Sequence, residues 1–96
     1  MAVDVYQKVE RDFGESAEEI HQALRALDQE TRGMISDRLV RAIVYLAQGD
    51  AIKFYGLVAE AQTEWDKVLY EAEHDKTTGE KVRNFDRTFH ELKLMS

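Results

Sequence analysis

Two Glu-x-x-His runs, Glu18-Glu-Ile-His21 and Glu71-Ala-Glu-His74, are the residues of this chain whose types and spacing best suit chemistry. On facing helices of a bundle, such runs supply carboxylate and imidazole ligands to paired iron or manganese ions. Helical phase argues against that use here. At about 100° per residue, Glu18 stands well off the stripe of Ile20, Leu24 and Leu27, and His74 falls nearly opposite Trp65 and Ala72. All four side chains are therefore expected to point outward as solvated or capping groups, and neither a metal nor any other cofactor is expected.

Other chemistry has less to start from. Paired carboxylates catalyse only when they converge in a cleft with separated pKa values, and 19 acidic residues allow almost any pair to be drawn. Ser16 and Ser36 stand where helix caps belong, and the chain has no cysteine, so thiolate nucleophiles, disulfide scaffolds and Cys-based zinc sites are excluded together. The side chains best suited to a protein interface are Trp65 and Tyr70, because these residue types dominate binding hot spots. Phe85, Phe89 and Leu92 join them as candidates, since they line one face of an expected last helix that must bury them somewhere.

The elements that position these residues read as helices throughout. Helix formers dominate and proline is absent. A first helix is expected over residues 3–13, ending at Gly14. A capping-box pattern, Ser16-Ala-Glu-Glu19, starts a second that ends near Glu30. Ser36 caps a third, nearly apolar helix through Leu39, Val40, Ile43, Val44 and Ala47, with an Ile35–Val40 staple; Gly49 supplies its left-handed stop. Apolar residues surround most of that helix, so its neighbours must cover it on several sides. Asp50 caps the next run, in which Phe54, Leu57, Val58, Ala61, Trp65, Val68, Leu69 and Ala72 hold a three-four spacing; Thr63-Glu-Trp-Asp66 marks a break or kink near Gln62. Gly56 with Ala59 forms a small-residue patch. Residues 75–79 read as a linker, and Thr77 with Glu80 as the capping box of a last helix carrying Val82, Phe85, Phe89 and Leu92.

Composition sets the outer bounds. Ninety-six residues allow one domain, with residues 76–96 as a docked or exchanged C-terminal helix. A 44% apolar content is that of a folded globule. The net charge of −6 is unevenly spread: −4 over residues 1–33, +1 over 34–49, −5 over 50–75 and +2 over 76–96. No segment carries the basic stripe that displaces phosphate counterions, and the helix after Gly49-Asp50 offers only Lys53 before Glu60, so direct nucleic-acid binding is not expected. Residues 1–10 carry Asp4, Lys8 and Glu10, and no run approaches the ~18–20 apolar residues that cross a bilayer. A cytoplasmic protein without membrane contact is the expectation.

Arg41-Ala-Ile-Val-Tyr-Leu-Ala47, Gly49-Asp50, Thr63-Glu-Trp-Asp-Lys-Val-Leu69 and Ala72-Glu-His74 together resemble a family of small uncharacterised bacterial helical proteins. Members of that family look like an Arg-flanked apolar helix, a Gly-Asp corner and an acidic-aromatic segment closed by Ala-Glu-Tyr, where this chain has His74. The resemblance spans residues 35–75; it implies a fold and transfers no activity.

The sequence thus describes an all-α protein, a small multi-helix bundle around a central apolar helix. Its expected role is a non-catalytic protein-protein interaction module that binds another protein or itself, as a homodimer. The alternatives are a small enzyme or metal-binding bundle, and an acidic inhibitor or mimic acting on a nucleic-acid-binding protein.

Overall fold

A computed structural model describes residues 2–95. Four helices follow in order: α1 (Val3–Phe13), α2 (Ala17–Glu30), α3 (Asp37–Ala47) and α4 (Ala51–Glu73). A single 3₁₀ turn, Gly14–Ser16, joins the first two. The fold is all-α; among the described residues the one β-type contact is an isolated bridge between His74 and Lys81.

The corners follow from local chemistry. The Ser36 hydroxyl accepts the Leu39 N–H at 3.1 Å and starts α3. Gln48 (φ 50°) and Gly49 (φ 79°) both turn left-handed to end it. Glycine is required at 49 for a second reason: a Cβ there would run into the Asp12 carbonyl oxygen, so the corner rests directly on the end of α1. One carboxylate oxygen of Asp50 then accepts the N–H groups of Ile52 and Lys53 at 2.9 and 3.2 Å, opening α4. Within α4, Glu64 leaves helical geometry (φ −134°, ψ 50°), so the run is two helical segments across a kink. Ser16, by contrast, makes no side-chain cap bond; the 3₁₀ turn takes over that junction.

Helix α3 is the centre of the bundle. Ala42, Ile43, Val44 and Ala47 are fully buried, and α3 packs chiefly along α4 and more lightly on α1, which itself packs on α2. Val5, Val9 and Phe13 of α1, Ile20 and Leu24 of α2, and Phe54, Val68 and Ala72 of α4 close the same core.

The expected last helix does not form. Residues 74–95 run as turns over the bundle, and Phe85 and Phe89 are fully buried in its core. The reason lies in where the backbone groups of this segment bond. Asp75 accepts the Thr77 and Thr78 N–H groups at 2.7 and 3.1 Å, and the Thr78 hydroxyl accepts the Glu80 N–H, so the Thr77–Glu80 pattern becomes a tight turn. Beyond it, the N–H groups of Val82 and Arg83 donate to the Glu73 carbonyl. The reciprocal bonding of a capping box is found instead at Thr88 and Glu91, at 3.0 and 3.1 Å, where it frames a short turn.

Candidate functional site: an apolar groove and two buried clamps

Two arginine–carboxylate clamps fasten residues 81–95 to the helices. Arg41, from the mostly apolar α3, donates Nε and Nη2 to the Asp4 carboxylate at 2.9 and 3.1 Å and Nη1 to the Phe85 carbonyl at 3.0 Å. Asp4 also accepts the Phe89 N–H at 3.0 Å, so both buried charges spend their remaining valences on the backbone of this segment. Burial alone would push the Asp4 carboxyl up, but the Arg41 bonds and the Phe89 N–H outweigh it and hold the group below its ordinary value.

The second clamp repeats the design. Glu73, the buried last residue of α4, receives Arg38 Nε at 2.9 Å and Nη2 on its other oxygen, and accepts the Phe85 N–H at 2.8 Å. Lys81 stands 3.7 Å away. Burial again pushes the carboxyl up and is overcome by Arg38, so Glu73 too titrates below its usual range.

A polar stripe on α1 meets the same segment. Besides Asp4, Gln7 bonds His90 at 2.8 Å, Lys8 donates to the Leu94 carbonyl at 2.9 Å and Arg11 to the Met95 carbonyl at 2.7 Å. Positions 4, 7, 8 and 11 form one helical face. In the sequence this stripe has the look of a solvated surface, and only the course of residues 85–95 gives it a role.

The candidate interface residues therefore separate. Phe85 and Phe89 fill the chain's own core, and Leu92 is half-buried against it; they sit on an irregular strap and not on the expected last helix, because their backbone is held down by Asp4, Arg41 and Glu73. Tyr70 is 54% exposed and stacks on His74 at 4.0 Å, on the side of α4 next to the turn at Gly79. Trp65, 56% exposed, stands on the lip of an open groove of about 610 Å³. Leu27 of α2 and Thr31 just beyond its end line that groove with Val58, Ala61, Gln62, Trp65 and Leu69 of α4, and Ile35 and Leu39 line it too. Met34, 84% exposed, stands on the loop at its mouth. Of the polar residues on the groove, Thr31, Ser36, Arg38, Gln62 and Asp86, the Thr31 hydroxyl donates to the Leu27 carbonyl, Ser36 serves the helix cap and Arg38 the Glu73 clamp.

The histidine runs are not brought together. His21 is buried, not outward-facing: its ring stacks on Tyr6 at 4.1 Å, and Nε2 lies 3.2 Å from Glu10, while Nδ1 has no partner among the described residues. Glu18 accepts from Gln22 instead, and His74 Nδ1 meets the Tyr70 carbonyl at 3.1 Å. The outward expectation for His21 failed because α1 crosses that side of α2, which the Ile20 stripe alone does not reveal. Among the described residues no cluster of three or more His, Asp or Glu side chains is placed to hold a metal ion, and no helix is long and apolar enough to cross a membrane.

Comparison with protein-family models, with curated proteins and with solved structures finds no match, so any functional reading rests on the groove and its surroundings.

Proposed function

We propose that this protein is a non-catalytic interaction module that works in the cytoplasm and receives an apolar surface of another protein chain in the groove between α2 and α4. The observation that supports this is the groove itself, an open, mostly apolar recess of about 610 Å³ with Trp65 and Met34 left exposed at its edge. Exposed apolar surface gathered around a recess is the usual mark of a binding site, whereas single exposed apolar residues need no explanation. The strongly placed charged groups, Asp4, Arg41, Arg38 and Glu73, are engaged in holding the chain together, which favours binding over catalysis as the use of the remaining surface.

A photo-crosslinking residue placed at Met34 in the native cell tests the reading, with the same residue at the exposed Gln22, outside the groove, as control. Protein adducts formed at position 34 and not at position 22 are expected. Equal yields at both, or none at 34, refute it.

A further inference from the structure

Helix α4 carries a second hydrophobic pattern beside the one that faces the core. Ala51, Tyr55, Val58, Gln62, Trp65 and Leu69 follow one another at steps of four, three, four, three and four, the a/d spacing of a helix that packs lengthwise on another helix. The chain itself does not complete that packing: Tyr55, Gln62 and Trp65 are exposed, and Ala51, Val58 and Leu69 are half-covered. The kink at Glu64 does not scatter the stripe, since Val58, Gln62, Trp65 and Leu69 line the same groove. Along the helix path from Ala51 to Leu69, at 1.5 Å per residue and before the shortening at the kink, the seam runs about 27 Å, against the 35 Å extent of the molecule.

Resting on the interaction-module reading, we infer that the occupant of this face is a second copy of the chain, with the two α4 helices antiparallel about a two-fold axis. The residues on the seam favour that arrangement. Antiparallel pairing centred near Glu60 sets Ala51 against Leu69, Tyr55 against Trp65 and Val58 against Gln62, each pair occurring twice as an isologous interface requires. The smallest residue of the seam meets a leucine, and the two exposed aromatics meet each other, the kind of pair that contributes beyond its buried area. Gln62, the one polar member, falls near the axis, where a polar a/d residue fixes register at some cost in stability. The α2 side of each copy then covers the outer side of the partner's α4. The copies carry the same net charge of −6, so this association must tighten with added salt, whereas a basic partner would be released by it.

Sedimentation velocity on the full chain, in low and high salt, tests the inference with two substitutions at exposed positions, Tyr55→Lys and Trp65→Glu. Circular dichroism first establishes that each variant keeps its helix content. The wild-type chain is expected to dimerise, more tightly in high salt. Each variant alone should raise the dissociation constant by about thirty-fold or more, the effect of losing a hot-spot aromatic. An equimolar mixture of the two should regain a heterodimer, because the introduced lysine of one copy then faces the introduced glutamate of the other while the second Tyr55–Trp65 pair is intact. A monomeric wild-type chain, a dimer indifferent to both substitutions, or a mixture no tighter than the single variants overturns the proposal. A monomer that still gives heteromeric adducts at Met34 overturns it in favour of a different partner and leaves the interaction-module reading standing; absence of adducts refutes both.

Discussion

Replacing Arg41 by methionine removes the centre of the larger clamp without leaving a hole. In the native protein Arg41 is 6% exposed, and its guanidinium serves both oxygens of Asp4 and the carbonyls of Phe85 and Asp86. The variant leaves the Asp4 carboxylate buried with the Phe89 N–H as its remaining long-range donor. Breaking one side of a buried pair costs about 3–5 kcal/mol, and a domain of this length has about 5–14 kcal/mol in total, so Arg41→Met should stand at the edge of folding. An ordinary buried pair can be replaced on both sides by apolar residues at little cost. Here the Asp4→Leu/Arg41→Met double variant still strands the Phe85 carbonyl and the Phe89 N–H, at about 1–3 kcal/mol each, and should recover only part of the loss. Urea titration followed by far-ultraviolet circular dichroism measures all three proteins. A single-variant loss below about 1 kcal/mol would show that the clamp is not desolvated, and a double variant as stable as the wild type would show that the backbone tethers contribute nothing.

Acid should unfold the protein through the same groups. Asp4 and Glu73 titrate lower in the folded than in the unfolded chain, so their contribution is full above the ordinary carboxyl range and is lost as pH falls through about 4 toward their folded values; a thermal midpoint that does not fall below that pH refutes the assignment. Gly49→Ala combines a positive φ with a Cβ driven into the Asp12 carbonyl, and should cost more than the ~1 kcal/mol of a strained alanine alone; a neutral effect in urea would mean the α3–α4 corner does not rest on α1. Truncation after Asp75 removes the backbone partners of both clamps and empties the space of two phenylalanines, each worth about 3–5 kcal/mol when lost to alanine; the truncated chain should show little cooperative melting by circular dichroism, and a sharp transition would show the tail to be dispensable.

Much of the helical part was legible because its signals are local. The stop at Gly14, the Ser36 cap and the Gly49-Asp50 corner each act within four residues, and the observed bounds of α1 and α3 follow them. The tail was not, for a reason its own residues show. Phe85 and Phe89, four apart, satisfy a helical period equally well as two side chains dropped from an irregular strap into a core. What decides between them is the donor or acceptor for each backbone group, and those partners, Asp4, Arg41 and Glu73, are supplied by distant elements. The candidate site divides the same way. Trp65 declares itself by residue type, but its groove needs Leu27 and Met34 from another part of the chain.

The bond from Phe89 N–H to Asp4 spans 85 positions. Chains are made from the N-terminus at about 5–20 residues per second, so α1 exists for seconds before the segment that satisfies its buried carboxylate has been made. During that interval Asp4 and Arg41 have each other but not their backbone partners, and the places of Phe85 and Phe89 stand open. Long-range closures of this kind are slow because the entropy of the intervening loop must be lost before contacts reward it. Of the described elements the strap is thus the last to be made, and until it docks the helices leave an open apolar cleft where Phe85 and Phe89 will lie.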